Sequence, residues 1–266
     1  MRNRNLTFLF QAAVTLLACA FMLVPAIQSV LAGITVNYFR GISSGVTLKW
    51  FGEVWTLYAH SIGLSLGIAL SCLIATLLIG VPAAYALTRW RGLGARLIEE
   101  FIALPLAVPG LALALGLLQL YGSMRGFRAS PAFILIGHVL YTLPFMVRSV
   151  MSVLSAIDLK TLEEGAASLG AGSWRRFCDI VIPNAIPGIL AGSLTVVTLS
   201  IGEFNLTWML QTPYTKTLPV GLADSYASMR LEIASAYTLI FFIIIVPLLS
   251  LMQWVAARSQ TVKSSP

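Results

Sequence analysis

Apolar residues run through this chain in stretches far longer than a water-facing helix or strand permits, and few charges interrupt them. Charge-free windows of 19 residues or more fall at 5–39, 54–88, 101–124, 129–147, 180–202 and 233–257. A helix needs about 20 mainly apolar residues to cross the hydrocarbon core of a bilayer, and its backbone groups must find partners within the segment. The pattern therefore predicts spans at about 9–32, 62–87, 99–121, 131–153, 186–208 and 235–256. The expected architecture is all-α: a polytopic membrane helical bundle with six transmembrane helices, one domain over 1–266.

Composition sharpens that picture. Of 266 residues, 17 are Lys or Arg, 10 are Asp or Glu and 58% are hydrophobic, with mean hydropathy +0.88. About a quarter of a soluble domain is charged, so a water-soluble globule is excluded. Low charge also argues against a disordered segment. Cys19, Cys72 and Cys178 lack the close spacing of a disulfide framework or a four-cysteine zinc site and read as small packing residues. His60 and His138 have no partner at ligand spacing, so no metal site and no cofactor are expected.

Orientation follows from the basic residues. Arg2, Arg4, Arg89, Arg91, Arg96, Arg148, Lys160, Arg175, Arg176, Arg258 and Lys263 lie on one side of the predicted spans, against Arg40, Lys49, Arg125, Arg128, Lys216 and Arg230 on the other. The richer side is cytoplasmic by the positive-inside rule, which puts both termini there. The net charge of +7 then needs no nucleic acid, because no basic stripe interleaved with aromatics appears. Arg2 and Arg4 before an apolar run, with Val30 and Ala32 at cleavage spacing, resemble a secretory signal, but the stretch is long for one and is read as a retained span. Trp50, Trp55, Tyr121, Tyr141, Trp208 and Trp254 fall mostly near the predicted interfaces, as an aromatic belt requires.

Helices in lipid associate through close approach at small residues. Gly63, Gly67 and Ser71 offer one such face in span two, and Gly188 and Gly192 another in span five. Pro105 and Pro109, with Gly110 and Gly116, remove backbone donors in span three; Pro144 and Pro247 do so singly. An isolated proline reads as an inert kink, whereas the Pro105–Gly116 cluster reads as a moving or cavity-lining segment.

The longest cytoplasmic stretch, 155–183, carries its own helical signals. Asp158 is placed to cap a helix in which Leu159, Leu162, Ala166 and Leu169 recur at helical spacing, and Gly170 or Gly172 ends it. Ser173 is placed to cap a second helix presenting Trp174, Phe177, Ile180 and Val181, which stops before Pro183. Glu164 projects opposite the leucine stripe, beside the small Ala167 and Ser168. A close-approaching protein could pair an Arg with it.

Glu164, Gly165, Ala166, Gly170, Ile180 and Pro183 resemble the EAA motif of permease subunits of binding-protein-dependent ABC importers, at the family's spacing. Gly165 replaces the first alanine and Ile182 the leucine. Span count, orientation, the Leu104–Gly110 run and the loop before span five extend the resemblance over nearly the whole chain. It implies a type I importer (MetI-like) permease fold in a bacterial inner membrane. It also implies that the loop docks in a cleft of an ATPase subunit, in a complex with two ATP-binding-cassette ATPase subunits, a second permease (a related chain or another copy), and an extracytoplasmic solute-binding protein. No Gly-x-x-x-x-Gly-Lys-Ser/Thr phosphate loop occurs in the chain, so ATP must be bound by a partner and no catalytic residue is expected here.

Glu203 falls in predicted span five, where a charge is costly. It reads either as a cation-attracting group on the pathway or as a structural partner. The run 202–222, with Glu203, Asn205 and Trp208, looks like permeases for polyamines, 2-aminoethylphosphonate and, more distantly, ferric iron or thiamine. With Pro109, these are the candidate pathway residues, and a polyamine such as spermidine or putrescine is the first expected solute. Two rival classes remain. Gly41, Ser43 and Gly45 spell Gly-x-Ser-x-Gly, but without the strand and helix that a nucleophile elbow needs. A structural assembly subunit would explain the glycine faces but not the loop motif.

Overall fold

Uninterrupted apolar sequence in lipid satisfies its backbone only by coiling, and helix dominates this computed structural model. It describes the backbone of residues 2–90 and 92–261 and the side chains of 7–90 and 92–257. Arg2, Arg4, Arg91, Arg258 and Lys263 of the orientation argument lie outside the described side chains. Helices are α1 (Arg2–Ala32), α2 (Lys49–Arg89), α3 (Leu93–Ala107), α4 (Gly110–Tyr121), α5 (Arg125–Arg128) and α6 (Pro131–Ser155). They continue as α7 (Leu159–Ser168), α8 (Ser173–Arg176), α9 (Ile182–Gly202), α10 (Asn205–Leu210), α11 (Leu218–Ala227) and α12 (Leu231–Thr261). The described residues contain no strand beyond one isolated bridge, Thr35 to Val46.

Among the described residues, five helical stretches are long and apolar enough to cross a membrane, and a sixth span arises if α3 and α4 count as one. That pair replaces the single span expected over 99–121, and it bends by 106° between Ala107 and Gly110, within the proline and glycine cluster. Val108 is extended (φ −96°, ψ 127°), as a residue before proline prefers, and Pro109 stands at the cap of the new helix, which starts at Gly110. Pro144 and Pro247 lie inside uninterrupted α6 and α12. The clustered prolines break the chain and the solitary ones do not.

Span two begins well before 62: α2 starts at Lys49 and runs 41 residues, about 60 Å. Span five ends sooner than 208. Glu203 leaves the helix with extended backbone (φ −71°, ψ 116°) and α10 starts two residues later.

The chain divides into two compact units, 1–59 with 222–244, and 60–221 with 245–266. Within the first, Gly33 runs against the backbone of α12, where a Cβ would lie 2.6 Å from the Ala236 nitrogen. Trp50 Nε1 donates to the Thr35 carbonyl (2.7 Å), Tyr38 N donates to Glu232 Oε1 (2.8 Å), and the rings of Tyr58 and Tyr237 stack at 4.8 Å. The Gly-x-Ser-x-Gly segment is a 3₁₀ turn, in which Ser43 Oγ donates to the Arg40 carbonyl.

The second unit is built on α6 against α9. Gly188 and Gly192 make the approach possible: a Cβ on Gly188 would lie 2.6 Å from the Ser149 carbonyl oxygen, and one on Gly192 2.8 Å from Met146 Sδ. Gly63 and Gly67 meet nothing within 4 Å among the described residues. Cys72, Val81, Met146, Val150, Val181 and Ala185 form one buried cluster; Ile68, Ala114, Leu117, Phe133, Leu206 and Leu210 form another.

Candidate coupling site and the broken-helix junction

Asp158 caps α7 as its position predicts: Oδ1 accepts from Thr161 N (3.3 Å) and Oδ2 from Thr161 Oγ1 (2.7 Å). Gly170 ends the segment in the left-handed region (φ +83°), which costs a residue with a Cβ about 1–2 kcal/mol. Beyond the turn two expectations fail. Gly172, not Ser173, occupies the capping position of α8. Nor does the helix stop before Pro183: it passes through a π-type turn at Phe177–Val181 directly into α9. A π turn changes the hydrogen-bond frame, so the donor missing at Pro183 is not required there. Asn184 Nδ2 also donates to the Ile180 carbonyl (2.8 Å).

The inward face of α7 differs from the leucine stripe read from its sequence. Leu159 and Glu163 are buried and Ala166 is half-buried, whereas Leu162 and Leu169 face outward, Leu169 with 89% of its surface exposed. Glu163 is only 3% exposed. Its Oε1 accepts from the Tyr85 hydroxyl at 2.5 Å, and its Oε2 lies 3.5 Å from Arg89 Nε. Arg89 also donates to the Tyr85 hydroxyl (2.8 Å), and the Tyr85 ring rests 5.4 Å from that of Phe177. Periodicity gave no sign of Glu163, because its partners lie at the end of α2, far away in sequence.

Of the motif residues, Glu164, Gly165 and Gly170 lie on the exposed surface, with Leu162, Leu169 and Trp174 (76% exposed) beside them in sequence. Glu164 pairs with Lys160 at 3.7 Å, its side chain 66% exposed. Ile180 instead packs on the buried cluster between α2, α6 and α9, and Pro183 is exposed at the head of α9. The motif thus divides into a surface half and a packing half. A cavity of about 650 Å³ borders it, lined among others by Arg89, Lys160, Glu163, Glu164 and Arg176.

The pathway candidates gather at the junction of the broken helices. A Cβ on Gly110, next to Pro109 at the start of α4, would lie 3.6 Å from Glu203 Oε1 and 3.7 Å from Asn205 Cβ. Glu203 Oε1 accepts from Leu206 N at 2.7 Å, occupying a free donor of the first turn of α10. Trp208 lies one turn on, its ring 5.4 Å from Phe204. Two further residues hold α10. His138 on α6 is buried and bridges the break, with Nδ1 2.9 Å from Ser200 Oγ and Nε2 2.8 Å from Thr207 Oγ1. Arg128 donates to the Leu210 and Gln211 carbonyls at the other end. Among the described residues no group of His, Cys, Asp or Glu could hold a metal.

Residues 76–261 match the family described as "binding-protein-dependent transport system inner membrane component". The molybdenum transport system permease protein ModB of Haemophilus influenzae is 32% identical over 219 residues, covering 75% of this chain and 94% of that protein. The putrescine transport system permease protein PotI of Escherichia coli K12 is 27% identical, covering 79% and 78%. A bacterial ABC transporter involved in the import of the acidic polysaccharide alginate has the same fold, with a TM-score of 0.73 over 94% of this chain and 96% of that one, at 14% identity. The chain belongs to this family. It is a permease subunit of an ABC importer with the MetI-like permease fold, a transport component rather than an enzyme. Importers of this class work with ATPase and binding-protein partners.

Proposed function

We propose that residues 1–266 act as one permease domain that forms part of the translocation pathway for a small amine-bearing solute, a polyamine in the first instance. The complex holds two ATPase subunits, one of which docks on the surface made by α7 and its turn. A second permease, related or identical, completes the pathway, and an extracytoplasmic binding protein delivers the solute. The membrane is a bacterial inner membrane, with both termini and the 155–183 loop in the cytoplasm. One observation carries the docking assignment: Leu162 and Leu169 stand exposed on the same segment as Glu164, outside the candidate spans, and Trp174 is exposed at the head of the helix that follows. Apolar groups presented together beside a charge fit a surface that another protein covers.

Inward- and outward-facing packings of such a domain differ by a few kcal/mol, and ATP and the loaded binding protein each bias the balance. Closure of the ATPases moves the docked loop, and helical continuity from α8 into α9 carries that motion into the membrane. Glu203 supports the amine reading. Its Oε1 caps α10, and a carboxylate has a second oxygen able to receive an ammonium group.

A second reading, 2-aminoethylphosphonate, is favoured by a different observation: similar permeases are named for sulfate transport and for putrescine transport. A solute bearing both an amine and an oxyanion suits that mixture; ferric iron and thiamine are more distant choices. Titrating binding-protein-stimulated ATP hydrolysis with putrescine, spermidine, 2-aminoethylphosphonate and molybdate separates these. Stimulation by an amine is expected, and stimulation by molybdate alone would overturn the amine reading. A merely structural assembly role predicts residual uptake when the complex is reconstituted without this chain; a pathway role predicts none.

A further inference from the structure

Glu163 presents both carboxylate oxygens to two residues one turn apart on α2. Oε1 accepts from Tyr85 and Oε2 faces Arg89, while Arg89 holds the Tyr85 hydroxyl from the other side. The three groups form a closed triangle between α7 and the end of α2. Burying a carboxylate costs several kcal/mol unless its partners are well placed, and a leucine here would pack without that cost. What the triangle adds over apolar contact is direction. A short charge-assisted hydrogen bond resists sliding between two helices, whereas apolar side chains permit it.

The alternative outlet from the loop is less direct. From α8 the chain reaches α9 through a π-type turn, and α9 ends at the Gly202–Glu203 break. By contrast, α2 is continuous for 41 residues up to Arg89. Tyr85 joins the two routes, because its ring packs on Phe177 in the π-type turn while its hydroxyl binds Glu163.

We infer that Glu163, Tyr85 and Arg89 are positioning residues that lock the coupling helix to the end of α2, so that movement of the loop is delivered to α2 as well as to α9. This rests on the reading of α7 as the ATPase-docking helix. It assigns a transmission role to a glutamate one position before the EAA-like motif, and to two residues of another span.

The test uses the complete complex with its ATPase subunits in lipid nanodiscs. Cys19, Cys72 and Cys178 are replaced by alanine, and spin labels are placed at the exposed positions Ala86 and Ala167 through Ala86→Cys and Ala167→Cys. Their separation is measured without nucleotide and after trapping with ATP and vanadate, on samples in which labels on the ATPases report closure. With the triangle intact, the separation between α2 and α7 is expected to stay the same in the two states. In Tyr85→Phe, which removes one hydroxyl and keeps the ring, and in Glu163→Gln, it is expected to shift on trapping. The two changes are expected to be non-additive, the double variant shifting no further than the larger single one.

A shift with the triangle intact would overturn the proposal, as would an unchanged separation in both variants. Copurification of the ATPases with a Glu164→Lys variant is the separate control. If that variant loses the ATPases while Tyr85→Phe and Glu163→Gln show no shift, the docking reading stands and only the lock to α2 fails. If Glu164→Lys keeps them fully, the docking reading itself fails.

Discussion

Glu163 and Glu164 are neighbours in sequence with opposite surroundings: the first is buried against Tyr85 and Arg89, and the second stands in the open beside Lys160. Successive helical residues lie about 100° apart, so one turn of α7 presents a carboxylate to the protein and another to whatever docks outside. An exposed pair such as Lys160–Glu164 contributes at most about 1 kcal/mol. Glu164→Ala should therefore leave thermal unfolding in detergent nearly unchanged while weakening copurification of the ATPases. Glu164→Lys and Gly170→Asp should insert normally and abolish transport. Normal uptake by either would remove the lever from this loop.

The α6–α9 contact gives a prediction about stability. Gly188→Ala places a methyl group against the Ser149 carbonyl and the Val150 backbone, an overpacking that costs about 1–3 kcal/mol. The melting temperature of the purified chain should fall. Gly63→Ala, in open space within the chain, should not lower it. Equal effects would show that glycine spacing, and not this contact, governs packing.

His138 ties Ser200 to Thr207 across the break between α9 and α10. His138→Ala leaves both hydroxyls buried without that partner, at about 1–3 kcal/mol for each unsatisfied group. A clear loss of thermal stability is expected, with partial recovery in His138→Asn. A variant as stable as the unaltered chain would mean that the bridge contributes nothing.

Orientation is open to direct measurement. A reporter fused at Lys160 should read cytoplasmic and one at Lys216 external. The opposite pattern would put the loop on the side without ATPases.

The spans were legible because lipid imposes a length and forbids charge, and both constraints are visible in a single chain. The α3–α4 break was half legible. The cluster from Pro105 to Gly116 marked it, but the corner at Val108–Pro109 needed the backbone geometry. Glu203 was misplaced inside a helix because an apolar run on either side hides a two-residue interruption. Glu163 was not legible, since Leu159, Leu162 and Leu169 make a plausible buried stripe. The observed inner face of Leu159, Glu163 and Ala166 depends on Tyr85 and Arg89, which no local periodicity reports.

Cysteine cross-linking across the docking surface tests the central claim most directly. Ser168→Cys, exposed on α7 next to its terminal turn, is paired with cysteines scanned over the ATPase surface in intact membranes. The account predicts a disulfide-linked permease–ATPase product whose yield changes when ATP is added. Absence of any such product, with a cysteine on the opposite side at Lys216 equally unreactive towards the ATPase, would contradict it.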